Sequence, residues 1–359
     1  MTLYKTVLSV ESSCDDTSVA IVKDDGYVVC QVSANQDLEH APFGGVVPEI
    51  ASRNHSVALL PLIQHVLEKS KLTWKDIDAL TVTNRPGLIG SLIVGIMTVK
   101  AISQAYNIPI IGVNHLEGHL LAPFLKDDNY TPPENFNYPY IALAVSGGHT
   151  SLYWVQGLGK YSIIGTTKDD AAGEAFDKFA KMLGLGFPGG YLVDQAAKNG
   201  KTNVYEFPRS LLTENNLMMS FSGLKSSAAR LLEKLSDEEK TQNKADLCAS
   251  FQEAIVDVLL HKLETAAKRY KCNHIIITGG VSANSRLRFK AEQIAQKNKY
   301  TLVIPPLRYC TDNAAMIGYA GVLHLNNGEK SDLSLGPMAQ SKASDFTYDL
   351  QEWERPKKK

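Results

Sequence analysis

Runs of apolar residues separated by short polar turns occur twice along the chain in the same order. Residues 8–22 contain two such runs with a small polar turn between them, and residues 141–155 repeat the arrangement. Each segment predicts two β-strands joined by a tight turn. In each half a further apolar run, at residues 77–83 and 274–278, leads through a glycine-containing loop toward a helix. The pattern predicts a duplicated unit with a cleft between the copies.

Longer segments with helical periodicity alternate with these strands, which predicts the α/β fold class. We expect a domain boundary within residues 126–138, which hold an Asp-Asp-Asn run and a Pro-Pro pair. This gives an N-terminal domain of residues 1–130, which residues 325–350 could rejoin, and a C-terminal domain of residues 131–324. The predicted long helices cover residues 48–70, 88–106, 244–270, 281–297 and 312–325.

The composition is that of an ordinary soluble globular protein. Of 359 residues, 44% are apolar and 21% are charged, and the formal net charge is −1. No global basic field indicates nucleic acid, so any RNA contact must be local. The five cysteines are widely spread without a C-x-x-C pair, which predicts a reducing, cytoplasmic environment without a disulfide framework.

Neither the start of the chain nor its longest apolar stretch predicts a targeting or membrane segment. Residues 6–10 are already apolar, which leaves no room for a leader, so an organellar location would require a transit segment upstream. Residues 88–102 include Gly90, Gly95 and Lys100 and are predicted to be too short and interrupted to span a bilayer. Residues 356–359 are predicted to be a frayed end.

His115 and His119 are the most informative pair of residues. Four positions apart, they lie on one face of a helix, about 6 Å apart along its axis, where both imidazoles can bind one divalent metal. They follow an apolar strand at residues 110–113, and ligands of α/β proteins bind at the carboxyl ends of strands. A zinc peptidase would carry a glutamate directly after the first histidine. Here the acid is Glu117, rotated about 200° from His115, which disfavours that alternative.

Asp312 follows a Pro-Pro turn and precedes an apolar helix. One interpretation is an N-cap at Thr311 or Asp312. The other makes Asp312 the oxygen ligand that completes a two-histidine, one-carboxylate metal site.

Several glycine-rich loops predict sites for phosphate or adenosine. The Ser146-Gly147-Gly148 turn exposes backbone amides to an anion, although a tight hairpin without ligand is the alternative. Gly279-Gly280 separates a strand from a predicted helix and lacks both the Rossmann and the Walker spacing. Residues 184–190 contain four glycines, bracketed by Asp177 and Asp194, which either accept hydrogen bonds from ribose or are simply solvated.

Ten motifs follow one another along the chain, at residues 11–17, 44–49, 86–87, 115–119, 145–150, 172–177, 188–190, 221–225, 279–284 and 311–313. In these motifs and their order, over residues 5–340, the chain resembles the tRNA threonylcarbamoyladenosine transferases, in their bacterial or organellar form. The resemblance implies two ribonuclease-H-like domains with a nucleotide cleft, the fold of sugar kinases, actin and heat-shock ATPases.

The resemblance also implies a reaction and a set of site residues. A threonylcarbamoyl group passes from threonylcarbamoyl-AMP to the exocyclic amine of the adenosine 3′ of the anticodon, in tRNAs that read codons beginning with A, and AMP is released. His115, His119 and Asp312 would bind the metal, Fe²⁺ first and Zn²⁺ second. The expected substrate-binding residues are Ala144, Val145, Ser146, Gly147, Gly148, Asp177, Gly190, Asp194 and Asn284.

Glu11 and Asp15 are candidates to steer the proton of the amine, or else only hydrogen-bond their turn. Candidate RNA contacts are the basic residues of two predicted helices, with a solvated helix face as the alternative: Lys225, Arg230, Lys234, Arg286, Arg288 and Lys290. The implied partners are tRNA, a separate synthase for the adenylate, an inactive paralogue of the same fold and a small P-loop ATPase.

The chain departs from the family at three positions. Tyr191 replaces a common proline, Arg85 replaces a common glycine, and Ala144 stands where some archaeal relatives offer a tyrosine to the metal. The main alternative function is an ATP-dependent small-molecule kinase of the same superfold, which has no need of the two histidines. A carbamoyltransferase acting on protein thiols and a nucleotide-switched binding module are further alternatives.

Overall fold

The computed structural model describes residues 3–212 and 214–349. The predicted tail at 356–359 lies outside these ranges. The strands are β1 Thr6–Glu11, β2 Thr17–Lys23, β3 Val28–Ala34, β4 Ala79–Arg85, β5 Ile110–Asn114, β6 Tyr140–Val145, β7 Thr150–Gly157, β8 Lys160–Thr166, β9 His274–Thr278, β10 Thr301–Val303 and β11 Thr347–Tyr348.

Twelve α-helices are found in the described ranges, with short 3₁₀ turns at Ala41–Phe43, Trp74–Asp76, Ala122–Phe124 and Gly280–Ala283. The helices are α1 Asp37–His40, α2 Pro48–Ser70, α3 Ile89–Tyr106, α4 His115–Leu121, α5 Ala172–Met182, α6 Gly189–Ala197, α7 Ser222–Leu232, α8 Asp237–Gln242, α9 Lys244–Arg269, α10 Ser285–Asn298, α11 Leu307–Cys310 and α12 Ala314–Asn326.

The chain forms two compact units. Unit 1 takes its described residues from 3–133 and 305–345, and unit 2 takes them from 134–304 and 346–349. The return into unit 1 therefore begins at residue 305 rather than at the expected 325, because α12 packs on β1, β2 and β4. The last strand, β11, pairs instead with β8 in unit 2.

The two sheets share one strand order, which confirms the predicted duplication. In unit 1 the order is β3-β2-β1-β4-β5, and in unit 2 the corresponding order is β8-β7-β6-β9-β10, with β11 added beside β8. In both units the first two strands form an antiparallel pair, and the first strand runs parallel to the fourth. The predicted α/β class, with two ribonuclease-H-like sheets, is confirmed.

Helices cover both faces of the unit 1 sheet. Gly95 of α3 approaches Val10 and Val82, whereas Gly321 of α12 approaches Thr81. Thr81 and Val82 are neighbours on β4 and point to opposite faces. The α12 side matters most for the site, because Asp312 lies just before this helix.

Within the described residues, α3 is the one helix long and apolar enough to cross a membrane by length and composition alone. It spans 18 residues, so the expectation that this stretch is too short does not hold for the helix itself. Such a signal is weak, because core helices of soluble proteins also meet it. The buried Leu92, Ile96 and Val99 pack into the core of unit 1.

Candidate metal centre and substrate loops

Both histidines lie on α4, which starts directly after β5. The side chain of Asn114 caps the helix by accepting a hydrogen bond from the Leu116 amide at 2.8 Å. Because the helix begins at His115, His119 follows one turn later and lies on the same side of the helix. Both side chains are buried.

Asp312 approaches the histidines from the segment before α12. The N-cap of α12 is Asn313, whose side chain accepts from the Met316 amide at 3.0 Å. The alternative of a cap at Thr311 or Asp312 is therefore wrong. Because Asn313 satisfies the helix end, the Asp312 carboxylate is available to the imidazoles.

The three side chains converge on one point. Asp312 Oδ1 lies 3.3 Å from His115 Nε2 and 3.2 Å from His119 Nε2. The three potential ligand atoms all lie within 4.8 Å of one another. The planes of the two imidazole rings are nearly perpendicular, at 89°, and each ring presents its Nε2 atom to the carboxylate.

Opposite charges dominate the electrostatics of this cluster. Burial would lower the pKa of His115, but the Asp312 and Glu11 carboxylates raise this pKa well above its ordinary value. Burial would raise the pKa of Asp312, yet the charges and hydrogen bonds of His115 and His119 lower it well below its ordinary value. Asp312 is therefore ionised, as a carboxylate ligand must be.

Glu11 binds the ring nitrogen of His115 that faces away from Asp312. It is fully buried and accepts hydrogen bonds from His115 Nδ1 at 3.0 Å, from the Thr83 hydroxyl at 2.5 Å and from the Ser13 amide at 2.6 Å. Because both oxygens of Glu11 are engaged, the geometry of Glu11 favours orientation of His115 over contact with an incoming amine.

His119 differs from His115 in this respect. Among the described residues, His119 Nδ1 is buried without a hydrogen-bond partner.

Asp15 lies half-buried on the turn between β1 and β2, near further acidic groups that the sequence analysis did not single out. Burial, and the negative charges of Asp312 and Asp15, raise the pKa of Asp16 to about 8. The turn after β1 thus carries a carboxyl group that is protonated at neutral pH.

In unit 2, the turn after β6 is tight and open on its outer side. The Ser146 amide donates to the His149 carbonyl at 2.8 Å, and the His149 amide donates to the Ser146 hydroxyl at 3.1 Å. Gly147 and Gly148 are exposed, and a Cβ on either would meet no atom within 4 Å. Ala144 and Val145 are buried on β6, so only their backbone could bind a ligand.

Two other glycine positions bring unit 2 loops against this turn. A Cβ on Gly173, at the start of α5, would lie 2.5 Å from the Ser146 carbonyl oxygen. Gly279 adopts φ +89°, and a Cβ there would lie 2.4 Å from the Val145 carbonyl oxygen. The turn, the start of α5 and the loop after β9 therefore form one group of loops.

The predicted adenosine-binding residues are already engaged with nearby backbone. Asp177 accepts from the Gly189 amide at 2.8 Å, and burial raises the pKa of Asp177. Asp194 accepts from the Ser285 hydroxyl at 2.7 Å. Gly190, the second residue of α6, is half-buried.

Asn284 caps α10 by accepting from the Leu287 amide at 2.9 Å. The helix thus begins at Ser285, and the prediction that it begins at 281 is wrong because residues 280–283 form a 3₁₀ turn. The first helical amide, that of Ser285, already donates to Asp194.

Most of the proposed RNA-contacting cations have internal partners. Arg286 and Lys290 both pair with Glu253, and Lys225 pairs with Asp170. Arg288 donates to the Ser282 carbonyl at 2.7 Å. These contacts favour a structural role for four of the six residues.

The departures from the family also have defined surroundings. Arg85 forms two hydrogen bonds to Asp345, at 2.7 and 2.8 Å, which tie the segment after α12 to the end of β4. Tyr191 is 63% exposed on α6.

Two duplicated sheets of this strand order define a protein of the superfold shared by sugar kinases, actin and heat-shock ATPases. Solved structures agree on the fold. HypF from T. kodakarensis matches over 90% of this chain and 48% of its own length, with a TM-score of 0.61 and 12% sequence identity. The Acidaminococcus fermentans (R)-2-hydroxyglutaryl-CoA dehydratase component A matches over 90% of this chain and 99% of its own length, with a TM-score of 0.51 and 16% sequence identity.

The family model of the tRNA N6-adenosine threonylcarbamoyltransferases matches residues 27–319. The relative from Bdellovibrio bacteriovorus with that name is 62% identical over 96% of this chain and 100% of its own. The relative with that name from Clostridioides difficile is 45% identical over 93% of this chain and 97% of its own length. The chain belongs to the tRNA N6-adenosine threonylcarbamoyltransferase family. It is a transferase that adds a threonylcarbamoyl group to adenosine in tRNA, and the kinase alternative is not favoured.

Proposed function

We propose that unit 1 binds one divalent metal, Fe²⁺ or Zn²⁺, through His115, His119 and Asp312. The convergence of three donor atoms is the observation that carries this proposal. Ligands at about 2.0–2.1 Å from a tetrahedral ion lie about 3.3 Å from one another. The measured N···O separations of 3.2 and 3.3 Å fit that spacing. Two imidazoles and one carboxylate suit both metals.

The proposed donor is threonylcarbamoyl-AMP. A bound metal would supply Lewis-acid stabilisation of oxygen atoms on the donor. The amides of residues 146–148 would bind its phosphate, and Asp177, Gly190, Asp194 and Asn284 would bind its adenosine. An aromatic exocyclic amine is a weak nucleophile, so positioning of the two reactants contributes more than a strong base. The acceptor would be the adenosine 3′ of the anticodon in tRNAs that read codons beginning with A.

The test combines purified protein, threonylcarbamoyl-AMP, unmodified tRNA and the partner proteins, with and without a chelator. Mass spectrometry of the nucleosides measures the modified adenosine. We expect the chelator, and the variants His119→Ala and Asp312→Ala, to abolish it. His261→Ala is the matched control, because this histidine is exposed on α9. Full modification by chelated enzyme or by both site variants would rule out the metal.

Beyond tRNA, the proposed partners are a separate synthase for the adenylate, an inactive paralogue of the same fold and a small P-loop ATPase. An apolar surface on unit 1 supports a protein partner, because exposed apolar patches are typical of interaction sites. It comprises exposed residues of α2 and α3: Val57, Leu60, Ile93 and Met97. We propose the paralogue as its occupant. Size-exclusion chromatography with the paralogue should show a complex that Met97→Asp disrupts and Leu38→Asp, at an exposed site on α1, does not.

The proposed location is the cytoplasm. All five cysteines are free thiols in the structure, which is typical of a reducing compartment. Fractionation of cells that express the tagged protein tests this location, and recovery with the membrane or an oxidising compartment would contradict it.

A further inference from the structure

We infer that Glu117 and His324 are a positioning pair, which fixes the spacing of the two helices that carry the proposed metal ligands. The inference rests on the metal site proposed above. Glu117 lies between the two histidines in sequence but points away from them, toward α12. Its role would be to hold α4 in place, without contact to metal or substrate.

The pair is a buried ion pair between two helices. Glu117 Oε1 lies 2.8 Å from His324 Nε2, and the side chains are only 9% and 16% exposed. The other ring nitrogen of His324 lies 2.7 Å from Glu329 Oε1. With a carboxylate at each nitrogen, the imidazole donates both hydrogen bonds and carries a positive charge.

A second contact holds the same helices together. A Cβ on Gly118 would lie 2.9 Å from Met316 Cγ and 3.0 Å from Ile317 Cδ1, so α4 lies directly on the first turn of α12. His324 is seven residues beyond Ile317, which is about 10 Å along the helix. The glycine contact and the ion pair therefore hold α4 at two separate points along α12.

The ligand geometry depends on this packing. His115 and His119 move with α4, while Asp312 moves with the start of α12, from which it is separated only by the Asn313 cap. A single contact at Gly118 would still allow α4 to pivot. A small pivot changes both N···O separations, and residues that orient metal ligands indirectly typically alter metal affinity about 10-fold or more.

The test measures Co²⁺ binding to the full chain after removal of bound metal. The visible absorption of Co²⁺ reports both affinity and coordination geometry. We expect His324→Ala to weaken binding about 10-fold and to change the spectrum. His324→Arg keeps a cation opposite Glu117, so it should restore the wild-type spectrum and most of the affinity. The exposed His261→Ala variant should behave as wild type.

Thermal unfolding of each metal-free variant shows whether it is folded, and Glu117→Gln provides a second way to remove the ion pair. Wild-type affinity and spectrum in both His324→Ala and Glu117→Gln would overturn the positioning role while leaving the metal site intact. Equal losses in His324→Ala and His324→Arg would also overturn it. No Co²⁺ binding by the wild-type protein would refute the proposed metal site itself, which is a distinguishable result.

Discussion

At the scale of single residues, the charges around His115 form a chain from a buried carboxylate to an accessible one. Glu11 accepts from Nδ1, and Asp312 lies against Nε2. A carboxylate that holds the far side of an imidazole selects its tautomer and orientation. The burial of Glu11 would raise its pKa, but the positive His115 lowers it, so the carboxylate is ionised.

Glu11→Gln should therefore weaken metal binding about 10- to 100-fold, because the amide no longer fixes the imidazole in one orientation. Competition against a chelator of known Zn²⁺ affinity measures the effect. Glu49→Gln is the control, since that side chain is 74% exposed. Unchanged affinity in Glu11→Gln would mean that the buried carboxylate serves only the turn after β1.

His324 makes stability depend on pH. Burial on its own would lower its pKa, but the hydrogen bonds and charges of Glu117 and Glu329 raise it to about 9. The pKa of a histidine side chain in an unfolded chain is about 6.5. The stabilisation is thus fully present below that value and is lost as the pH rises to about 9.

Urea unfolding of wild type and His324→Gln measures this contribution. The difference in free energy of unfolding should be about 2 kcal/mol at pH 6, allowing for partial exposure, and should shrink as the pH rises from about 6.5 to about 9. A difference that stays constant across this range would contradict the assigned ionisation.

The pairing of His115 with His119 could be predicted from sequence because their spacing is local to one helix. Asp312 could be assigned as a ligand only in combination with the two histidines, since its own surroundings favour a cap. The contact of Glu11 with His115 joins residues 104 positions apart. No local pattern encodes such a contact, because it depends on the parallel pairing of β1 with β4 and of β4 with β5.

At the scale of elements, α12 is the helix on which the site depends most. It packs on the sheet through small residues, and a Cβ on Gly321 would lie 2.4 Å from Thr81 Cγ2. Alanine gains about 1 kcal/mol in helix propensity over glycine. The clash with a β-branched side chain on a buried strand costs more than that gain.

Gly321→Ala should therefore lower the free energy of unfolding by about 1–3 kcal/mol. Gly157→Ala is the matched control, since a Cβ there meets no atom within 4 Å. Chemical denaturation measures both variants. A stabilised Gly321→Ala protein would show that α12 can move away from β4 at little cost.

The bounds of α2 agree with the predicted residues 48–70, because Pro48 marks its first turn clearly. The start of α10 was misplaced for a physical reason. The glycine pair predicts a helix that begins directly after the strand. The backbone instead makes a 3₁₀ turn first, and Asn284 then caps the helix. Asparagine is a residue type that favours N-caps, so the cap at Asn284 could be recognised from the sequence.

At the scale of the whole molecule, the two units differ in how the chain builds them. Apart from β11, unit 2 comes from one continuous segment, and its core lies within residues 141–291. Unit 1 needs two segments, because α12 covers the face of its sheet opposite α2 and α3. The sequence predicts the duplication and a return into the first domain, but it places that return at residues 325–350 and leaves α12 out of it, since the helical period of α12 does not specify which sheet it covers.

This difference predicts the behaviour of fragments. Residues 134–304 should fold alone and unfold cooperatively, because they retain both the sheet of five strands and its helices. Residues 1–133 should not, since one sheet face would be left without α12, and adding residues 305–345 as a separate peptide should restore folding. Circular dichroism with urea titration measures each fragment. Cooperative unfolding of residues 1–133 alone would show that α12 is an addition to a core that is already stable, so that Asp312 could be displaced without loss of the fold.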